Sequence, residues 1–324
     1  MRVWSIDAAT KSVRPEKRPS LKPGPEELRI RVHASALNRA DLLQIRGRYP
    51  SPPGVSPDVP GLEYAGEVIE LGERVQGFRV GDRVMGLVGG GAFAEEVVTH
   101  AREAMRVPAH TDLSEAAAIP EAFLTAYDAL TLQAGLRLGE RVLIHAVTSG
   151  VGLAAAQLAH AAGAIVYGTS RSEERLSGLA RYGVHHPLAV GPRVPSFARE
   201  VRALGGPVEV VLDLVGGPYL SEALEALAPK GRILLVGLLA GSRAELPLQR
   251  ILSLRASIQG TVLRSRPLEE KIALARDFAT RVLPSFDNGA LSPVIDSIQP
   301  MDALPEALER MARSEALGKQ VLRW

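Results

Sequence analysis

From residue 114 onward, short apolar runs rich in β-branched residues alternate with segments long enough to form helices. Consecutive parallel strands need a crossover connection, usually a helix, so this alternation predicts βαβ units around a parallel sheet. The pattern therefore restricts this part of the chain to an α/β fold. The apolar runs are Val142–Ala146, Ile165–Thr169, Val208–Leu212 and Ile233–Val236.

The first hundred residues follow a different pattern, in which short strand-like segments are separated by glycine turns. This pattern is typical of a compact β-rich domain. Because 324 residues exceed the size at which one hydrophobic core usually stops growing, we expect two domains. The strand-like segments are Leu28–Ala34, Tyr64–Leu71, Arg83–Leu87 and Phe93–Thr99.

The composition excludes several classes of protein. The chain has no cysteine, which rules out disulfides, thiol nucleophiles, thiolate zinc sites and iron–sulfur clusters. The formal net charge is +2 and the basic residues are scattered, which argues against a nucleic-acid-binding surface. No apolar run approaches the ~18–20 residues of a membrane span, and the first residues lack the apolar stretch of a signal peptide. We therefore expect a cytoplasmic protein with no membrane partner.

The segment Val142–Gly152 predicts a buried strand that passes through a turn of small residues into a helix. Backbone N–H groups of such a turn and of the helix N-terminus can face a pyrophosphate, and a bulky side chain would block the approach. The full G-x-G-x-x-G pattern is absent, and tight helix–strand packing alone could explain the glycines. Because further βαβ units follow, we interpret Ser149, Gly150 and Val151 as dinucleotide-binding residues.

The end of the second strand indicates which nicotinamide cofactor is preferred. NAD-binding sites usually place an acidic residue about 20 positions further on, where it takes the ribose hydroxyls. At that distance from Gly150 the chain has Ser170, followed by Arg171 and Arg175, so a 2′-phosphate and hence NADPH are favoured. The alternative is that Ser170 and Glu173 form a capping box and that both arginines are merely solvated.

Six short segments carry a resemblance to a known superfamily, namely Ala36–Leu43, Gly61–Gly66, Gly81–Val84, Ala116–Pro120, Leu124–Ala126 and Val142–Gln157. Together they resemble the medium-chain dehydrogenase/reductase superfamily, and within it the zinc-independent quinone oxidoreductase (zeta-crystallin-like) family. The resemblance is greatest to the stress-inducible, NADPH-dependent subgroup, which has a serine at the position of Ser149. It implies a GroES-like β-rich catalytic domain, residues 1–119 and 265–324, and a Rossmann cofactor domain with a doubly wound parallel sheet, residues 120–264.

Two positions separate the chain from the zinc-dependent members of the superfamily. In those alcohol dehydrogenases a cysteine stands at the position of Asn38 and a histidine at that of Leu62, and both bind the catalytic zinc. An amide beside a leucine offers no comparable site, so the resemblance implies no metal cofactor.

The resemblance also assigns roles to individual residues. It places Asn38 and Thr125 near the nicotinamide and Tyr49 at the mouth of the substrate site, and we interpret these three as the catalytic group, with Asn38 and Thr125 also contacting the cofactor. Each also has a purely structural alternative: Asn38 could cap an Asx turn, Thr125 could be a hydroxyl at a helix start, and Tyr49 could anchor a packed loop. Lys319 matches a lysine near the end of many relatives and could equally cap a strand. Further cofactor contacts fall on Gly216, Gly237, Leu238, Leu263, Arg264 and Ser265.

These observations favour an NADPH-dependent quinone oxidoreductase that transfers a hydride, without a metal, to quinones or other α,β-unsaturated carbonyl compounds. A quinone spreads the incoming charge over a conjugated ring, so positioning in a dry site can supply most of the catalysis. One alternative is a zinc-free enoyl-thioester reductase, which acceptor kinetics would distinguish. Another is a cofactor-sensing or RNA-binding protein with vestigial activity, which would bind RNA in a salt-dependent way.

The resemblance further implies a homodimer. It places the strands near Ile233–Val236 and Arg255–Leu263 at the edge of the Rossmann sheet. An exposed apolar edge strand is an aggregation liability, and pairing with a symmetry mate would cover it.

Overall fold

A computed structural model of the chain describes residues 1–191 and 195–324. These residues divide into two units, the first formed by Met1–Leu124 with Leu263–Trp324 and the second by Thr125–Val262. The domain limits predicted from the sequence, after residues 119 and 264, remain a prediction.

The parallel sheet predicted from the alternating runs lies in the second unit. All pairings between its described strands are parallel, so the predicted α/β class is confirmed. The direction in which strands are added reverses between Arg141–Ile144 and Val208–Asp213, and ligands of open α/β sheets bind at such a switch point, outside the carboxyl ends of the strands. The strand order across the sheet is His186–Ala189, Ile165–Ser170, Arg141–Ile144, Val208–Asp213, Leu227–Leu235 and Ser257–Gly260.

Helices connect these strands and bury their apolar faces against them. One core cluster joins Leu143, Val211 and Ile233 of the sheet to Ala223 and Leu224 of a following helix. The α-helices of this unit are Gly150–Ala161, Ala198–Gly205, Pro218–Ala226 and Leu248–Leu254, with a π-helix at Asp128–Gln133 and 3-10 turns at Glu174–Leu176 and Leu179–Tyr182.

The first unit is built on a mainly antiparallel sheet with a core of its own. Leu28, Ile30, Tyr64, Val68 and Val84 point into that core and are fully buried. The sheet runs in the order Ile295–Pro300, Lys319–Arg323, Glu27–Ala36, Glu63–Leu71, Arg83–Leu87 and Met105–Arg106, with Glu96–His100 also paired to Glu27–Ala36. A separate hairpin is formed by Arg2–Asp7 and Ser12–Lys17.

Short helices flank the sheets of the first unit. The helix Pro120–Tyr127 begins in this unit and ends in the second. The others are Arg39–Ile45, Leu113–Ala116, Leu268–Arg281, Pro284–Asp287 and Leu304–Ala312, with 3-10 turns at Ala101–Glu103 and Met301–Ala303.

Two predicted strands differ from the observed ones for identifiable reasons. The run expected over Val142–Ala146 ends at Ile144, because Ala146 has a left-handed backbone with φ of 49° that starts the turn. The strand expected over Phe93–Thr99 begins only at Glu96. Phe93 instead donates its N–H to the Pro60 carbonyl at 3.0 Å, so its backbone serves another part of the chain.

Candidate active site

The turn that follows the strand Arg141–Ile144 is shaped for close approach by a ligand. A Cβ added to Gly152 would lie 2.5 Å from the Ala146 carbonyl oxygen, so only glycine lets the helix begin this close to the strand. Ser149 caps that helix, its Oγ accepting the Gly152 N–H at 3.1 Å. The Ser149 N–H donates to the Ala146 carbonyl at 2.9 Å, whereas Gly150 and Val151 are half-exposed and their N–H groups, in the first turn of the helix, are accessible to an anion.

The end of the second strand lies against this turn. Ser170 is buried, and its Oγ is 3.4 Å from Thr148 Oγ1, a residue of the turn. The Ser170 hydroxyl accepts the Ser172 N–H at 3.2 Å rather than that of Glu173. Arg171 is exposed and Arg175 is half-exposed, so two guanidinium groups stand on the segment that follows.

The carboxyl ends of the next two strands bring together a third group of predicted residues. Asp213 is fully buried, and its Oδ1 accepts the Val215 and Gly216 N–H groups at 2.8 and 2.9 Å. A Cβ on Gly216 would lie 2.9 Å from the Leu238 side chain, and one on Gly237 would lie 2.4 Å from the Leu214 carbonyl oxygen. These glycines are therefore required by packing. Gly216 is buried, Gly237 is half-exposed and Leu238 is exposed.

A buried histidine lies beneath these turns. His145 Nδ1 is 3.0 Å from Thr169 Oγ1, and its ring packs against Phe197 and Tyr219. Burial lowers the pKa of His145 to about 4, so the ring is neutral. Its Nε2 atom and Asp213 Oδ2 are both buried and find no hydrogen-bond partner within the described residues.

In the first unit the structure brings Arg264 and Tyr49 together. The Arg264 guanidinium lies 4.8 Å from the centre of the Tyr49 ring and donates to the Tyr49 carbonyl at 3.2 Å. It also donates to Gly89 O at 2.6 Å, Gln44 Oε1 at 2.7 Å and Ser51 Oγ at 3.0 Å. Arg264 therefore clamps the loop that carries Tyr49. Its neighbours Leu263 and Ser265 are buried and exposed, respectively.

Asn38 lies in a separate buried network. Its Nδ2 donates to Ala36 O at 3.2 Å and to Glu63 Oε1 at 2.9 Å, and its Oδ1 accepts from Lys319 Nζ at 2.6 Å. The Lys319 ammonium also contacts Glu63 Oε1 at 2.7 Å and Leu37 O at 2.8 Å. Both amide hydrogens of Asn38 are thus in use, and Oδ1 alone retains a free lone pair.

Two further carboxyl groups border this network. Asp41 is fully buried, and its oxygens accept the Asn38 N–H at 2.7 Å and the Gly61 N–H at 3.1 Å. Glu121 is half-buried, and its N–H donates to Glu63 Oε2 at 2.8 Å. Burial is the main cause that raises the pKa of Asp41 to about 7 and that of Glu121 to about 8.

The sequence did not single out Glu63, Asp41, Glu121 or Gln44 as site residues. Glu63 stands in an otherwise apolar segment between Leu62 and Tyr64, and an acidic residue inside a buried strand is a signal that could have found it. Thr125, which the sequence did single out, is a buried residue of the helix Pro120–Tyr127 and belongs to the second unit, whereas Asn38 and Tyr49 belong to the first.

Within residues 1–191 and 195–324, the structure contains no group of three or more histidine, cysteine, aspartate or glutamate side chains that could hold a metal ion. Over the same residues, no helix is both long enough and apolar enough to cross a membrane.

The chain matches two family models, and its curated relatives include a vesicle membrane protein homolog and a quinone oxidoreductase-like protein. Residues 24–109 match the alcohol dehydrogenase GroES-like domain, and residues 150–281 match the zinc-binding dehydrogenase model. The synaptic vesicle membrane protein VAT-1 homolog of Mus musculus is 31% identical, over 96% of this chain and 80% of its own length. The quinone oxidoreductase-like protein 2 homolog of Nematostella vectensis is 31% identical, over 92% of this chain and 82% of its own.

Solved structures with the same fold include dehydrogenases and enoyl reductases. An NAD-dependent alcohol dehydrogenase superimposes with a TM-score of 0.86 at 29% identity and covers 100% of both chains. The CurK enoyl reductase superimposes with a TM-score of 0.84 at 27% identity, over 99% of this chain and 98% of its own.

Proposed function

Because the chain belongs to the zinc-independent, quinone oxidoreductase-like family of medium-chain dehydrogenases/reductases, we propose that it is an NADPH-dependent reductase of quinones and other α,β-unsaturated carbonyl compounds. The family predicted from the sequence is confirmed, and with it the GroES-like and Rossmann folds, the oxidoreductase class and a nicotinamide cofactor. The choice of NADPH and of the acceptor is our proposal.

The observation that carries the proposal is the state of Asn38. Zinc-dependent relatives use a cysteine at this position, whereas here the side chain is an amide whose hydrogens bond Ala36 and Glu63 and whose oxygen bonds the Lys319 ammonium. An amide engaged in this way is a poor ligand for zinc. An acceptor that delocalises the incoming charge over its own conjugated system is the kind that such a site can reduce.

The residues of the second unit fit a dinucleotide. Gly150 and Val151 would hold the pyrophosphate through their backbone N–H groups and Ser149 through its hydroxyl, since the Ser149 N–H donates to the Ala146 carbonyl. Ser170, Arg171 and Arg175 would hold the 2′-phosphate. Gly216, Gly237 and Leu238 line the ends of the neighbouring strands. When bound in its reduced form, the nicotinamide supplies the hydride.

Proposed roles remain for Asn38, Thr125 and Arg264. Asn38 can only accept a hydrogen bond, so it would orient an amide donor such as the nicotinamide carboxamide and would not donate to the acceptor oxygen. Thr125 offers a hydroxyl, which can donate or accept. Arg264 fixes the position of Tyr49, whose hydroxyl would face the acceptor. Leu263, Arg264 and Ser265 would also contact the cofactor.

A turnover screen tests the proposed function. The purified chain is mixed with NADPH or NADH and with each of a panel of quinones, enones and enoyl thioesters, and cofactor oxidation is followed by absorbance. We expect kcat/KM to be at least about tenfold higher with NADPH than with NADH, and with quinones than with enoyl thioesters, which corresponds to roughly 1.4 kcal/mol in each comparison. Equal rates with the two cofactors would contradict the NADPH assignment.

Enoyl-thioester reduction is the second candidate function. The similarity to the CurK enoyl reductase favours it. So does a 34% identical segment of a mycocerosic acid synthase-like polyketide synthase of Mycobacterium tuberculosis; this chain spans 14% of the length of that synthase. A strong preference for enoyl thioesters over quinones in the same screen would reverse our ranking of the two functions.

We further propose that the chain forms a homodimer through the edge of its parallel sheet. The strand Ser257–Gly260 lies at one edge of this sheet, and Leu227–Leu235, which was expected at the edge, lies next to it and is paired on both sides. Leu248 and Leu252 project from one face of the helix before the edge strand, with 70% and 76% of their surface exposed. Light scattering at micromolar concentration tests this, since a monomer mass would contradict it.

We also propose that the protein is cytoplasmic, as expected from the sequence, and cell fractionation tests this location.

A further inference from the structure

The buried polar residues around Asn38 contain more acid than base. The carboxyl groups are those of Asp41, Glu63 and Glu121, and the cations that interact with them are Lys319 and Arg264. An uncompensated charge in a buried site is costly, and the usual response is that one acid keeps its proton. The arrangement therefore requires one of the three carboxyl groups to be protonated near neutral pH.

Hydrogen bonding identifies which group keeps the proton. Glu63 accepts from Lys319, from Asn38 and from a backbone N–H, and Asp41 accepts two backbone N–H groups, all of which stabilise a carboxylate. Among the residues that the structure describes, none donates a hydrogen bond to the Glu121 carboxyl. Burial and the charge of Glu63 raise the pKa of Glu121 to about 8, above the value of about 7 for Asp41.

Glu121 also occupies the position in this cluster from which a proton can leave. Asn38, Asp41, Glu63 and Lys319 are buried, whereas Glu121 is only half-buried. Its carboxyl interacts electrostatically with Tyr49 and Arg264, the pair that forms the proposed acceptor side of the site. The pKa of Tyr49 is raised by burial first and then by Glu121, so the phenol stays protonated beside it.

We propose that Glu121 holds the proton that the acceptor takes up, an inference that rests on the proposed function. After hydride transfer the reduced acceptor carries one negative charge on oxygen. That oxygen forms an O–H bond as the O–H bond of the Glu121 carboxyl breaks. The product leaves neutral, and the Glu121 carboxylate then takes a proton from water.

The variant Glu121→Gln tests the proposal because glutamine keeps the shape and neutrality of the protonated acid but has no acidic proton. We expect kcat with an enone to fall about 100-fold, at the lower end of the range for general acid catalysis. The fall with a quinone should be smaller, because a phenolate is a weaker base than an enolate. In the unmodified chain kcat should decrease above pH about 8, where Glu121 loses its proton, and this decrease should be absent in the variant.

The control is Glu115→Gln, which removes the same charge from an exposed position in the preceding helix and should leave the pH profile unchanged. A second readout does not need turnover. Since the pKa of Glu121 is higher in the folded chain than its ordinary value of 4.5, the unmodified chain should lose thermal stability relative to Glu121→Gln as the pH rises from 4.5 to 8.

The outcomes separate this proposal from the proposed function. Absence of turnover by the unmodified chain with every acceptor would overturn the proposed function, while the stability comparison would still report whether Glu121 holds a proton. Turnover with an unchanged pH profile and unchanged kcat in Glu121→Gln would overturn the role of Glu121 alone. A stability difference that does not depend on pH would show that Glu121 is ionised and would also overturn it.

Discussion

Replacing Lys319 by methionine should destabilise the first unit more than a typical single substitution does. The Lys319 side chain is 5% exposed, and its ammonium bonds Glu63 Oε1, Asn38 Oδ1 and Leu37 O at 2.7, 2.6 and 2.8 Å. Methionine fills much of the same volume but leaves the fully buried Glu63 carboxylate without its cation. Breaking a buried ion pair from one side costs about 3–5 kcal/mol, because the remaining charge is uncompensated.

Urea and thermal unfolding at pH 7 measure this cost. For a unit of this size, about 3–5 kcal/mol corresponds to a decrease in Tm of roughly 6–20 °C. The double variant Lys319→Met/Glu63→Gln removes the unpaired charge and should regain at least about 2 kcal/mol, since a neutral pair of similar shape replaces the ions. The exposed Lys22→Met is the matched control and should change stability by less than about 0.5 kcal/mol.

Two results would refute the reasoning. A loss below about 1 kcal/mol in Lys319→Met would mean that Glu63 is compensated by something other than the ammonium. A double variant no more stable than the single one would mean that the loss comes from packing and not from charge.

Three further predictions concern the proposed site. Arg175→Ala should lower NADPH affinity by about 1–3 kcal/mol and leave NADH affinity unchanged, and a titration showing equal NADPH binding would count against a 2′-phosphate contact. Arg264→Lys removes the planar group that stacks on Tyr49 and that donates at least four hydrogen bonds. Amide hydrogen exchange over residues 44–51 should therefore become faster, and unchanged exchange would argue against the clamp. Burial lowers the pKa of His145 to about 4, so between pH 6.5 and 4 only the unfolded chain takes up a proton at this residue, and the free energy of unfolding should fall as the pH falls through that window. His145→Gln should weaken this pH dependence, and an unaltered stability profile in the variant would refute the prediction.

The strand–turn–helix at Val142–Gly152 shows how much of the fold local sequence determines. The predicted strand and helix are both present, as Arg141–Ile144 and Gly150–Ala161, since an apolar β-branched run and an alanine-rich segment each favour their structure locally. The strand end was two residues off because the left-handed backbone of Ala146 depends on the turn and not on its own side chain. The strand Ile295–Pro300, half-exposed and without clear alternation, was not predicted.

The sequence indicates which candidate residues lie together in space only where they are close along the chain. Ser149 and Ser170 each belong to a strand–turn segment, so their placement at the carboxyl end of the parallel sheet follows from the βαβ pattern. The contact of Arg264 with the cofactor stays a prediction. Its role as the clamp of Tyr49 joins residues 215 positions apart, and no local pattern encodes such a pair.

The sequence by itself determined the two kinds of sheet, the glycine-lined turn and the lack of thiolate ligands, because periodicity, turn chemistry and residue type are local properties. Only the tertiary structure decided which carboxyl groups share the interior with Lys319 and Arg264. The protonation of an acid depends on its burial and on charges brought close by chain segments far apart in sequence. The ammonium of Lys319 contacts Asn38, a residue 281 positions away in sequence. That contact exists only once the strand Lys319–Arg323 has paired with Glu27–Ala36, the strand that precedes Asn38.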